Sequence, residues 1–142
     1  MKIPKILIVD ANILFSFFKK ESLRRELIER LPYIGYKLIS PDYVFEELFN
    51  EKEKIMKFSK IDETIFLFLI SLLQRKIEII SKTDYEMLLD KAKEITPHKK
   101  DIPYFALALS LNAGIWSDEK AFRKQNKVKV FSTEELKKIL YE

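Results

Sequence analysis

Short apolar runs alternate with stretches of helical periodicity along the whole chain. Ile6 to Val9 is an unbroken, mostly β-branched run, the pattern of a strand buried on both faces in a parallel sheet. Ile13 to Phe18 follows as a helix packing back on that strand. Leu23, Leu27, Ile28 and Leu31 recur at helical spacing, predicting a helix over Glu21 to Leu31 with Ser22 as its cap and Pro32 as its stop. Tyr36 to Ile39 reads as a second strand. Ser40-Pro41 then reads as a cap with proline at the first helical position, opening a helix to about Phe58. Ile61 to Leu73 is a strongly apolar helix, expected to be buried more than halfway round, in part by a second copy of the chain. Ile77 to Ile80 is a third strand, Thr83 to Ile95 a helix, and Thr96 to Lys100 a polar loop. Asp101 opens a helix that Ala113-Gly114 would stop. Ile115 to Ser117 and Val128 to Phe131 complete the strands. Ser132-Thr-Glu-Glu135 is a capping box for a last helix, Thr133 to Tyr141.

This alternation predicts an α/β fold, a three-layer α/β/α sandwich around a mostly parallel sheet of about five strands. No linker or repeat divides the 142 residues, so a single domain over 1–142 is expected. Hydrophobic residues make up 47% of the chain, enough to fill one core and to exclude disorder. There is no cysteine, which excludes disulfides and thiolate metal sites. Only two glycines are present, which excludes glycine-rich phosphate loops. The longest apolar stretch is too short to cross a bilayer. Met1-Lys-Ile-Pro runs straight into the first strand without a signal-peptide pattern, so a cytoplasmic, non-membrane protein is expected. The formal charge is +4, mildly basic. Few glycines and many Lys and Glu give the surface a thermophile-like character.

The candidate chemistry lies in acids at strand ends. Asp10 arrives where the first apolar run stops, and reads either as a helix cap or as a working carboxylate at a carboxyl-end crevice. Glu46 or Glu47 lies just over a turn into the helix after the second strand. Asp101 begins the helix leading to the fourth strand, and Asp118-Glu119 end that strand. A doubly wound sheet can bring these positions together. Carboxylates sharing a pocket repel one another unless a cation neutralises them. An oxygen-only set, with a single His in the chain, suits Mg²⁺ or Mn²⁺ rather than zinc. Such ions activate water and stabilise charge developing on a phosphodiester.

Four segments resemble the motifs of the PIN domain, a small nuclease domain of toxin ribonucleases and RNA-processing factors. They are Ile8-Val9-Asp10-Ala11-Asn12, Ser40 to Leu48, Asp101 to Leu109, and Gly114 to Phe122. The resemblance covers nearly the whole chain. It implies a metal-dependent endoribonuclease with RNA as substrate, frequent homodimers, and in toxin members an antitoxin partner. Carried onto this chain, it implies Asp10, Glu47 and Asp101 as Mg²⁺ or Mn²⁺ ligands and catalytic acids, with Asn12 and Ser117 orienting them. Glu47 is favoured over Glu46 because Leu48 then takes the apolar position after the family's Glu. At the fourth site the family's Asp is replaced by Glu119, with Asp118 one residue earlier, and either acid could serve. Lys99, Lys100, Lys120, Arg123 and Lys124 flank the expected pocket as candidate RNA contacts. His98 is read as a solvated loop residue, Tyr104 as a candidate base-stacking surface and Trp116 as core. Two rivals stand beside this reading: a catalytically weak PIN-like module that binds RNA or a protein, and a phosphatase, which Asn12 disfavours by removing the second acid of a D-x-D opening.

Overall fold

Strand β1, Ile6–Val9, is the centre of the sheet in the computed structural model, which describes residues 2–141. Met1 and Glu142, the two ends of the expected domain, lie outside the described residues. Leu7, Ile8 and Val9 are fully buried, because helices cover both faces of a parallel sheet and leave no polar side. Strands β2 (Lys37–Pro41) and β4 (Gly114–Trp116) flank β1, with β3 (Glu78–Ile80) outside β2 and β5 (Val130–Phe131) outside β4. All four pairings are parallel, in the order β3-β2-β1-β4-β5. The expected three-layer α/β/α architecture is what forms. The chain winds from β1 outward to β3, then returns past β1 to β4 and β5. The winding reverses between β1 and β4, the place where open α/β sheets form a crevice.

The helices are α1 (Ala11–Phe15), α2 (Leu23–Arg30), α3 (Tyr43–Asn50), α4 (Lys52–Ser59), α5 (Glu63–Lys76), α6 (Leu89–Ile95), α7 (Ile102–Leu111) and α8 (Thr133–Tyr141). Local signals held where they are self-contained. The Ser22 hydroxyl accepts from the Arg25 N–H at 3.0 Å. The capping box of α8 closes both ways: Ser132 Oγ accepts from the Glu135 N–H, and Glu135 Oε1 from the Ser132 N–H.

Other expectations are corrected. Ser40 and Pro41 do not open a helix but end β2, where Pro41 pairs in register with Ile80. A proline at the last strand position forfeits only one ladder donor. Ser40 is buried because its hydroxyl donates to the Val9 carbonyl of the neighbouring strand at 2.8 Å. The single helix expected to run to Phe58 is two, α3 and α4, meeting at Glu51. The helix expected over Thr83 to Ile95 is reduced to α6 preceded by two tight turns. The Asp42 carboxylate accepts from the Lys82 N–H and from the hydroxyl of buried Tyr85, which holds that stretch in turns. Pro32 sits within a 3₁₀ turn that continues α2. Helix α7 stops at Asn112, whose φ of 52° is left-handed, and not at Gly114. Gly114 instead lies in β4, where a Cβ would come within 2.8 Å of the Phe131 ring. Helix α5 buries Phe66, Leu69, Ile70 and Leu73 but leaves Ile65, Leu67 and Phe68 exposed. Among the described residues no helix is long and apolar enough to cross a membrane.

Candidate active site

β1 and β4 end side by side where the winding reverses, and each delivers a polar side chain there. Asp10 follows Val9 and is held in line by its N–H, which donates to the Trp116 carbonyl at 3.1 Å. Its side chain is only 3% exposed. Asp10 occupies the N-cap position of α1, but its main side-chain partner lies elsewhere. The Asp10 carboxylate accepts from the Ser117 hydroxyl, at 2.8 Å on Oδ2. The same hydroxyl accepts from the Glu119 N–H at 3.1 Å, so Ser117 fixes the turn that carries Glu119. Glu119 Oε1 accepts from Asn12 Nδ2 at 2.7 Å, which ties the end of β4 back to α1.

Two more acids come from the helices. Asp101 ends a 3₁₀ turn just before α7 and is 4% exposed; its Oδ2 is buried with no hydrogen-bond partner. Glu47, half-buried on α3, accepts at 2.6 Å from the hydroxyl of Tyr104, a fully buried residue one helical turn after Asp101. These carboxyls are close enough to feel one another. Burial raises Asp10 to about 6 against the pull of the Ser117 hydroxyl, with repulsion from Asp101 and Glu119 added. Burial and then Glu119 raise Asp101 to about 6, while Lys100 and His98 draw it back. Burial raises Glu47 to about 7, opposed by the Tyr104 hydroxyl and assisted by the charges of Asp10 and Asp101. Buried acids raised by each other's charge are poorly placed for stability, which makes this group of acids the candidate site.

A family model described as PIN domain matches residues 8–140. The chain belongs to the PIN-domain family. Solved structures share its fold. One is a chain of VapBC2 from Rickettsia felis, crystallised bound to a DNA fragment from their promoter. It is 17% identical, with a TM-score of 0.64 over 89% of this chain and 98% of that one. PAE2754 from Pyrobaculum aerophilum is 14% identical, with a TM-score of 0.68 over 96% of this chain and 90% of that one. No curated protein matches the chain.

In this PIN domain the two acidic pairs are each split. Glu47 is half-buried and bonded to Tyr104, whereas Glu46 is exposed and makes no side-chain hydrogen bond among the described residues. Glu119 joins the cluster, whereas Asp118 turns to α8. The Asp118 carboxylate accepts from the N–H and hydroxyl of Thr133, at 2.7 and 2.5 Å, and from Arg24 Nη2 at 2.7 Å. Burial acts to raise Asp118, but those hydrogen bonds and the guanidinium together hold it below the usual carboxylate range. Lys99 and Lys100 are exposed beside Asp101. Arg123 is ion-paired with Glu135, away from the acids, while Lys120 and Lys124 are exposed on the same 3₁₀ segment. Trp116 is core, its indole N–H donating to Thr133 Oγ1. Tyr104 is too buried to stack on a base; it orients Glu47 instead. Arg24 was not singled out from the sequence. Its guanidinium donates to Asp118, to the Asn12 carbonyl and to Ser16 Oγ, joining α1, α2 and the turn after β4. No sequence signal separates Arg24 from the other basic residues of α2, since its partners are remote in the chain.

Among the described residues, no group of three or more His, Cys, Asp or Glu is gathered closely enough to hold a metal ion as it stands. The chemistry of the donor set fits a hard divalent cation. It is oxygen only, three of its members are raised by burial and mutual charge, and one buried oxygen of Asp101 lacks any partner.

Proposed function

We propose that this PIN domain is a metal-dependent endoribonuclease that hydrolyses RNA phosphodiester bonds. The observation that carries the reading is the convergence of Asp10, Glu47, Asp101 and Glu119 on one crevice, with Asp101 Oδ2 buried and unpartnered. These four acids are the residues that would hold Mg²⁺ or Mn²⁺. When bound, such a cation supplies Lewis-acid stabilisation of the charge that develops on the phosphodiester.

The chain's own residues prepare the site. Ser117, Tyr104 and Asn12 each donate to one oxygen of Asp10, Glu47 and Glu119, which fixes those carboxylates and leaves each its other oxygen. Two of the raised carboxyls stand at about 6 and the third at about 7, so the site gains negative charge as pH rises through those values. Lys99 and Lys100 stand next to Asp101, with Lys120 and Lys124 as further candidate contacts to RNA phosphates. The likeness to a chain of VapBC2 supports the finer reading of a toxin with an antitoxin protein as partner. Exposed Phe68 and Leu67 on α5, with Phe58 on α4, support the expected homodimer. A cytoplasmic location belongs with the same reading.

The test is cleavage of labelled, mixed-sequence single-stranded RNA by wild type, Asp10→Asn and Asp101→Asn, with EDTA, Mg²⁺ or Mn²⁺. Cleavage that requires metal and disappears in both variants is the expected result. Cleavage that survives both substitutions refutes the site. RNA binding by a folded wild type that cleaves under no metal condition would make the chain a binding module instead.

A further inference from the structure

Glu119 is held among the acids by a ring of contacts that Arg24 closes. Asn12 Nδ2 donates to Glu119 Oε1 at 2.7 Å, and the two side chains reach toward each other from separate backbones, α1 and the turn after β4. Arg24, on α2, grips both of those backbones. Its Nη1 donates to the Asn12 carbonyl at 3.2 Å and to Ser16 Oγ, also on the α1 side, at 3.0 Å. Its Nε and Nη2 donate to Asp118 Oδ2 at 3.1 and 2.7 Å, one residue before Glu119. Arg24, Asn12, Glu119 and Asp118 thus form a closed ring, joined by hydrogen bonds except where Asp118 and Glu119 share a peptide bond.

The chemistry of each member suits that arrangement. A glutamate has one more rotatable bond than an aspartate and more freedom to lose when it is held in one place. Asp118 is fixed on its far side by the N–H and hydroxyl of Thr133, so it is a firm anchor for the guanidinium. A planar guanidinium sets the spacing between the groups on its edges, which a single ammonium does not. Among the described residues Arg24 makes no hydrogen bond to Asp10, Glu47, Asp101 or Glu119, so any effect on the acids passes through its partners.

We infer that Arg24 is a positioning residue for Glu119: by holding the Asn12 carbonyl and Asp118 at a fixed spacing, it sets the reach of the Asn12–Glu119 hydrogen bond and with it the place of the fourth acid in a divalent-metal site. The inference rests on the metal-dependent nuclease reading and adds to it a residue outside the acid cluster.

Mn²⁺ affinity, read without RNA from the electron paramagnetic resonance signal of the free ion, separates this role from a purely structural one. Arg24→Ala should weaken Mn²⁺ binding about 10- to 100-fold. Glu119→Ala should weaken it too. Adding Arg24→Ala to Glu119→Ala should then cost less than about twofold more, because the residue through which Arg24 acts is gone. Arg24→Lys keeps the charge but lacks the fork that spans both partners, and should bind Mn²⁺ as weakly as Arg24→Ala. Arg30→Ala, which breaks the ion pair with Glu26 on the same helix, should bind like wild type. Circular dichroism shows which variants are folded, and if Arg24→Ala is not, Arg24→Lys serves in the same comparison with Glu119→Ala. Wild-type affinity in either Arg24 variant overturns the inference. So does an equal loss with and without Glu119, which would make Arg24 a general brace of the fold. Both of these outcomes leave the nuclease reading standing. The coupled loss of Mn²⁺ in a protein whose wild type cleaves no RNA upholds the role of Arg24 and refutes the nuclease reading. A wild type that binds no Mn²⁺ overturns both.

Discussion

Replacing Asp10 by Asn should make the protein more stable at neutral pH while removing its activity. Asp10 is buried, and its pKa rises from an ordinary 3.8 to about 6. Between those values the native state binds a proton that the unfolded chain has released. Wild-type stability therefore falls as pH rises through that window, and the full penalty is present above about pH 6. At about 1.36 kcal/mol per pH unit, the penalty reaches about 3 kcal/mol. Part of it is repulsion shared with Asp101 and Glu119, so a gain of about 1–3 kcal/mol is expected for Asp10→Asn. The amide has nearly the same shape, and its oxygen can still accept from Ser117. The assay is urea denaturation of both proteins in EDTA at about pH 8 and about pH 4. The variant should be the more stable at the higher pH, and the difference should shrink to a few tenths of a kcal/mol at the lower one. A variant about 1 kcal/mol less stable at pH 8, or a difference that ignores pH, would refute the claim that this carboxylate is held against its preference.

Tyr104→Phe keeps the buried ring but removes the donor on Glu47. A hydrogen bond to a charged group is worth about 1.5–3 kcal/mol, so Mn²⁺ affinity measured by titration should drop about 10- to 100-fold. Because that bond lowers Glu47, its loss should move the rising limb of the pH–rate profile further above about 7. Gly114→Ala drives a methyl into the Phe131 ring at 2.8 Å and should cost about 1–3 kcal/mol in urea melts. Asp118→Ala removes the acceptor for Thr133 and Arg24; we expect about 1–3 kcal/mol lost in urea melts and slower RNA cleavage, because the turn bearing Glu119 loosens. Phe68→Glu should shift the mass measured by light scattering to that of a monomer while leaving the circular dichroism of the folded chain unchanged, since Phe68 is 59% exposed.

The layers, the parallel sheet and the capped helices are legible in the residues alone. Each of these is written in neighbouring residues: an unbroken apolar run at Ile6–Val9, a box at Ser132–Glu135, an alternation of periods 2 and 3.6. The sequence also marks Asp10 and Asp101 as acids at element ends. Adjacent acids were harder, because Glu46–Glu47 and Asp118–Glu119 differ only in the direction that the backbone gives each side chain. Tertiary structure made those choices through contacts invisible in the local pattern. Tyr104 meets Glu47 across 57 residues, and both Ser117–Asp10 and Asn12–Glu119 span 107. Arg24 claimed Asp118 across 94. Pro41 departs from its local signal for the same reason: that signal is a helix start, but pairing with β3 on one side and the pull of Asp42 toward Lys82 and Tyr85 extend the strand through it. Local pattern sets the body of an element, while its ends and the partner of a polar group depend on which remote groups the packed chain leaves within hydrogen-bond reach.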